Sequence, residues 1–176
     1  PDRRLLCGEP GRQDLGEASL GDVQIPQAGA VAVTGGLSGV MEAVSRGAKS
    51  AGGLVIGVLP GFDKRDANAF VDIAFTTGMG FMRNTLTVRA ADAVIMISGG
   101  IGTLNELTVA YEDKPTVILE GTGGWADRTL TTGAAPNTAN LTGSNHDDST
   151  RLLSALREAR FAGAEPGKSL VVVQQI

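Results

Sequence analysis

Short apolar runs alternate with amphipathic stretches along most of this chain, and glycines gather where the runs end. The runs Ala30 to Val33, Leu54 to Leu59, Ala93 to Ile97 and Thr116 to Leu119 each predict a strand buried on both faces. Arg4 to Cys7 reads as a short first strand, Val71 to Phe75 as another, and Leu170 to Val173 as a final strand at a sheet edge. Between strands the period changes. Val40, Ala43, Val44, Gly47, Ala48 and Ala51 follow one face of a helix, with Glu42, Arg46 and Lys49 on its polar side, and Gly52-Gly53 supplies a stop. Further helices are expected from about Met82 to Ala91, from Leu104 to Glu112 and from Ser149 to Phe161. Residues 12–28 fit a helix poorly. Gly16, Gly21 and Pro26 interrupt it, so a broken helix ending before Pro26 is expected. Residues 62–69 read as a polar loop and 131–150 as a long surface loop or disordered segment, being rich in Thr, Asn, Gly and Asp.

Strands alternating with helices imply a parallel sheet joined by crossovers. The expected fold is therefore an α/β, Rossmann-like three-layer sandwich with a mainly parallel sheet, in one domain spanning 1–176. In such sheets ligands sit beyond the carboxyl ends of the strands. Glycine loops follow three of the strands, at 34–39, 98–103 and 121–124. They are expected to meet at one edge of the molecule.

Composition narrows the picture in a few places. Aromatic residues are 4% of a chain whose apolar fraction is 42%, so its core must be built from Val, Ile, Leu and Ala. The 25 glycines cluster at strand ends, which marks them as loop chemistry rather than disorder. A net charge of −4 argues against non-specific binding to nucleic acid or to an anionic membrane, while leaving room for a local basic pocket. No run approaches the ~20 apolar residues of a membrane span and no signal peptide is visible, so a cytoplasmic location is expected. The single cysteine, Cys7, excludes an internal disulfide and a cysteine metal cage, and reads as core packing. His146, the single histidine, stands beside Asp147 and Asp148 without a His or Cys partner, so no metal site is expected.

The chemistry concentrates in two loops. In Ser98-Gly99-Gly100-Ile101-Gly102-Thr103, the residues Gly99, Gly100 and Gly102 stand where a Cβ would keep the backbone from an oxyanion. Backbone N–H groups and the following helix N-terminus then supply donors and partial positive charge. The bland alternative is a tight strand-to-helix turn with no ligand. The repeat of the arrangement at Thr34-Gly35-Gly36-Leu37-Ser38-Gly39 favours a phosphate-bearing ligand. Thr103-Leu104-Asn105-Glu106 also matches a capping box, which competes with any catalytic role for Glu106. Arg83 opens a helix, where a cation is disfavoured unless an anion or carboxylate awaits it; a solvated surface arginine is the alternative. Trp125 walls the ligand pocket, meets another subunit or simply packs.

Ser98 to Glu106, with Arg83 nine residues before Asp92, resembles the Pro-Gly-Gly-x-Gly-Thr-x-x-Glu pattern of the LOG (Lonely Guy) family, often labelled lysine decarboxylase-like. Gly35-Gly36-Leu37-Ser38-Gly39-Val40-Met41 resembles the first phosphate loop of that family, and the likeness covers roughly residues 30–125. It is strongest to a subgroup that includes molybdenum cofactor carrier proteins. The resemblance implies, first, hydrolysis of the N-glycosidic bond of a nucleoside 5′-monophosphate and, as the alternative, a molybdenum cofactor carrier or nucleotide sensor without catalysis. LOG enzymes are phosphoribohydrolases that release the free base from cytokinin riboside 5′-monophosphates, whereas the carriers hold a phosphorylated pterin without chemistry. It further implies that Arg83 and Glu106 form the catalytic pair. Gly35, Gly36, Gly39, Met41, Ser98, Gly99, Gly100, Gly102 and Thr103 would then hold the ligand and its phosphate. No resident cofactor is implied, molybdenum cofactor being the candidate cargo. The implied partners are a nucleotide-like small molecule and copies of the same chain, as a homodimer or homotetramer. The pattern departs from the enzymes at Ser98, a Pro there, at Asn84, a Lys there, and at Asn105, a Glu there. None of Lys49, Lys64, Lys114 and Lys168 lies in the glycine-loop site, which argues against a pyridoxal-dependent decarboxylase.

Overall fold

The computed structural model describes residues 25–26, 29–111, 114–119, 121–132, 138–141 and 169–173. The first expected strand at Arg4 to Cys7, most of the helix at 12–28, the helix at 149–161, and Cys7 and His146 lie outside them. In chain order the elements are β1 (Val31–Thr34), α1 (Val40–Ser50), β2 (Val55–Leu59), a 3-10 turn (Lys64–Asp66) and β3 (Ile73–Thr76). A second 3-10 turn (Gly80–Met82) leads into α2 (Arg83–Ala90), followed by β4 (Ala93–Ile97), α3 (Ile101–Ala110) and β5 (Thr116–Leu119). Helix α4 (Gly124–Thr132) and the strands β6 (Thr138–Leu141) and β7 (Ser169–Val173) complete the set.

The seven strands among the described residues lie parallel in one sheet of order β3-β2-β1-β7-β4-β5-β6. Alternate residues of a strand face opposite sides, and the two cores divide accordingly. Ala32, Ala93, Ile95, Ile97, Val117 and Leu119 join Val40, Ala43, Val44 and Ala48 of α1 on one face. Val33, Val94, Met96 and Ile118 join Val88 of α2, Leu107 and Ala110 of α3 and Ala126 of α4 on the other. The result is the Rossmann-like three-layer sandwich. No helix among the described residues is long and apolar enough to cross a membrane.

Four expectations are corrected. Leu170 to Val173 is not at an edge: β7 is inserted between β1 and β4, pairing Ala32 with Leu170 on one side and Ile95 with Val172 on the other. Its unbroken apolar sequence suits a strand with a neighbour on each side, whereas edges are usually blunted by charge or proline. The stretch 131–150 contains β6, a short edge strand paired to β5 in register Val117 with Ala139. Pro26 is itself helical; its carbonyl accepts from Gly29 N at 2.9 Å, while Ile25 O accepts from Ala30 N at 3.1 Å. A proline in a closing turn leaves the acceptors of that turn intact, and its ring packs against Gly53. Helix α3 begins at Ile101 rather than Leu104, so the end of the second glycine loop is already the first helical turn.

Candidate functional site

Strands β1, β4 and β5 each end in a glycine loop at the carboxyl edge of the sheet. In the first loop Gly36 N donates to Thr34 Oγ1 at 3.0 Å, which ties the loop to the end of β1. Gly39 then caps α1, and Gly100 caps α3; neither helix has a side-chain cap among the described residues. Their leading N–H groups are thus left to whatever occupies the carboxyl edge.

The second loop is shaped by an unusual residue. Ser98 has φ 51, the single positive φ of a non-glycine residue among those described, and is 8% exposed. Its N–H donates to Thr122 Oγ1 at 2.7 Å, and Thr122 Oγ1 donates in turn to Leu119 O at 2.8 Å. Gly99 has φ 96, and a Cβ there would overlap the side chain of Thr103, which is tucked beneath it. Thr103 is therefore the third residue of α3, not its cap, and no capping box forms. Its Oγ1 is buried with no hydrogen-bond partner.

The third loop is not an open anion site. Asp127, in the first turn of α4, folds back so that Oδ1 accepts from Gly121 N at 2.8 Å and Oδ2 from Gly123 N at 3.0 Å. The carboxylate fills the loop as a phosphate would. The loop then staples the second one: Trp125 N donates to Gly99 O at 2.9 Å and Ala126 N to Ser98 O at 3.0 Å. Trp125 is partly buried against the α2–α4 face of the core, with the Arg128 guanidinium 5.4 Å from its ring centre.

Arg83 and Glu106 do come together. Arg83 opens α2 and Glu106 lies in the second turn of α3, and these helices pack side by side. Arg83 Nη1 donates to Glu106 Oε1 at 3.3 Å and to Thr87 Oγ1 at 3.5 Å. Glu106 is the carboxylate that reconciles a cation with a helix N-terminus. Both side chains are sealed, at 0% and 2% exposure. A Cβ at Gly35 would overlap Arg83 Nη2 and lie 2.6 Å from Met41 Sδ, so the first loop lies directly over the guanidinium. Met41 is buried beneath that loop. Arg83 Nε and Nη2 have no hydrogen-bond partner. Burial lowers the Arg83 pKa from its usual value, and the nearby Glu106 works against that shift.

Each of the expected ligand residues thus has a place. Gly35, Gly36, Gly99, Gly102 and Thr103 are buried within the loops, while Gly39 and Gly100 are half-exposed at the helix starts. Two departures from the enzyme pattern prove to be one feature: Asn84 Nδ2 donates to Asn105 Oδ1 at 3.0 Å across α2 and α3. Sequence reading missed this pairing, the Thr122 and Asp127 staples, and Asn68, which binds the first loop from the segment before β3. An Asp in the first turn of the helix after a glycine loop was the available signal for Asp127. Asn68 stood in a polar loop with nothing to single it out.

Comparison with known proteins agrees with this architecture. Over 105 residues the chain is 45% identical to an uncharacterised protein of Archaeoglobus fulgidus, covering 55% of this chain and 68% of that one. It is 31% identical over 120 residues to a cytokinin riboside 5′-monophosphate phosphoribohydrolase of Mycobacterium tuberculosis, covering 60% of this chain and 64% of that one. Among solved structures, the molybdenum cofactor binding protein of Rippkaea orientalis superposes with a TM-score of 0.70 at 32% identity, covering 85% of this chain and 91% of that one. The molybdenum cofactor carrier protein of Chlamydomonas reinhardtii gives 0.69 at 29% identity, covering 86% and 91%. The SLOG cluster4 family model matches residues 12–151, and the chain belongs to that family.

Proposed function

We propose that this protein binds a phosphorylated heterocyclic small molecule across its first two glycine loops and holds it without cleaving it, with molybdenum cofactor as the leading candidate cargo. The observation that carries this reading is the sealing of the Arg83–Glu106 pair at 0% and 2% exposure. A carboxylate that aligns water or steadies an oxocarbenium-like centre must reach the anomeric carbon. Here Gly35 and Met41 lie over the guanidinium, whereas the donors facing the carboxyl edge belong to the two uncapped helix starts. The neutral Asn84–Asn105 pair and the likeness to molybdenum cofactor binding proteins lend further support.

The second reading, hydrolysis of a nucleoside 5′-monophosphate, is favoured by the 3.3 Å approach of Arg83 to Glu106 and by the phosphoribohydrolase relative. It requires the first loop to lift from the guanidinium. One experiment separates the two. The protein is incubated with AMP and with cytokinin riboside monophosphates and the products are chromatographed, while retention of molybdenum cofactor is followed by gel filtration. Cofactor retention with no free base is the expected result. Base release that disappears in Glu106→Ala, without cofactor retention, would replace the carrier reading with the enzyme.

A further inference from the structure

One side chain holds the first glycine loop from outside. Asn68 lies in the segment that returns from the end of β2 to the start of β3, and it takes two successive carbonyls of the loop. Its backbone N–H donates to Gly36 O at 2.8 Å and its Nδ2 to Leu37 O at 2.9 Å. Nδ2 also reaches Ser45 Oγ of α1 at 3.4 Å, and Oδ1 accepts from Phe70 N at 3.1 Å. The carboxamide is oriented by these partners, with its oxygen against an N–H and its nitrogen against oxygens.

The consequence follows from peptide geometry. In a trans peptide the C=O of one residue and the N–H of the next point in opposite directions. There is no cis peptide bond among the described residues. Fixing Gly36 O and Leu37 O toward Asn68 therefore turns the N–H groups of Leu37 and Ser38 away from it. The Gly36 N–H is held by Thr34 Oγ1. The N–H groups of Leu37, Ser38 and Gly39 meet no acceptor among the described residues. With the uncapped start of α1 they form successive backbone donors, the arrangement that binds an oxyanion.

We infer that Asn68 is the positioning residue of the anion site in the first glycine loop, locking two peptide planes so that their N–H groups face a phosphoryl group it does not itself touch. The inference rests on the reading of residues 34–39 as a phosphate-binding loop. An alanine at 68 keeps the backbone bond to Gly36 O and loses the one to Leu37 O. An aspartate keeps the acceptor for Phe70 N but sets a carboxylate oxygen against Leu37 O, which favours turning that peptide over.

The test titrates wild type, Asn68→Ala and Asn68→Asp with ribose 5-phosphate by calorimetry, after thermal melts have shown which variants fold cooperatively. At pH 7, Asn68→Asp should bind about tenfold more weakly than wild type, and Asn68→Ala severalfold more weakly, as expected for one misdirected or loosened donor. At about pH 3.5, below the ordinary aspartate value of ~3.9, most of the introduced carboxyl gains a proton and can donate to Leu37 O. The deficit of Asn68→Asp should then shrink while that of Asn68→Ala stays constant, a pattern that loss of stability alone does not produce. If Asn68→Asp does not fold, an Asn68→Ala variant that folds and binds like wild type overturns the inference. Wild-type affinity in Asn68→Asp, or equal deficits for both variants at both pH values, also overturns it. If wild type binds no ribose 5-phosphate, the phosphate-loop reading fails, and the inference with it.

Discussion

Replacing Ser98 by the proline found at that place in the enzyme pattern is a direct test of the second loop. Ser98 has φ 51, and proline holds φ near −65°, more than about 100° away. Proline also lacks the N–H that donates to Thr122 Oγ1 at 2.7 Å. Loss of that buried bond costs about 1 kcal/mol. Refitting the loop breaks the geometry through which Ser98 O and Gly99 O accept from Ala126 and Trp125, so a total of about 3 kcal/mol is expected, in line with other misplaced prolines. In a chain of this size that is a fall in Tm of roughly 6–12 °C. Ser98→Gly supplies the control: it removes the left-handed strain of about 1–2 kcal/mol and adds unfolded-state freedom of about 0.5–1 kcal/mol, so it should melt at or slightly above wild type. Scanning calorimetry of the three proteins measures both effects. A Ser98→Pro protein melting within about 2 °C of wild type would refute the argument, because the loop would then accept the backbone of the enzyme pattern.

Three further outcomes follow from buried and bridged charge. Glu106→Gln leaves the Arg83 guanidinium, at 0% exposure, without its countercharge and should cost about 3 kcal/mol in urea unfolding. Arg83→Met combined with Glu106→Leu should cost less than that single change; a double variant less stable than the single one would show that the pair is kept for stability. Asp72 is held below the usual carboxylate range chiefly by its bond from Lys49 Nζ at 2.7 Å, with Val55 N assisting at 2.8 Å. Because its folded pKa is depressed, its contribution is fully present above the unfolded value near ~3.9 and is lost as pH falls through the folded value. Asp72→Asn should flatten the decline of Tm below about pH 4, and an unchanged acid limb would remove Asp72 from the account.

Much of the fold could be read from local pattern because local physics decides it. The strands β1, β2, β4 and β5 are apolar runs covered on both faces, and α1 has a clean buried stripe, so short windows sufficed. The position of β7 could not be read that way. An apolar run tells of neighbours on both sides but not of which strands they are, and β7 fills the gap between β1 and β4 from the far end of the sequence. The spacing of Arg83 and Glu106 foretold their meeting, while their burial depends on Gly35 and Met41 from another loop. The capping-box alternative at Thr103 stayed open in the sequence for a similar reason. The motif Thr-x-x-Glu is the same whether the helix starts at residue 101 or 104, and only the tuck of Thr103 under Gly99 decides.

The departures from the enzyme pattern each meet a partner in this structure. Asn84 is fully buried, so a lysine there would need a carboxylate within reach; its actual partner is the amide of Asn105, the second departure. A neutral pair avoids the desolvation that a charged pair at that place would suffer. Ser98, the third departure, adopts a backbone closed to proline, and Thr122 accepts the N–H that proline would lack. The Thr122 loop is in turn closed by Asp127, so the shape of the second glycine loop is set by residues 20 or more positions further along the chain. Asn84 Nδ2 and Ser98 N thus each have an acceptor, while Asn84 Oδ1 is buried without a partner. The carrier reading proposed above takes this fixed loop as the seat of the ligand, with the sealed Arg83–Glu106 pair beneath it.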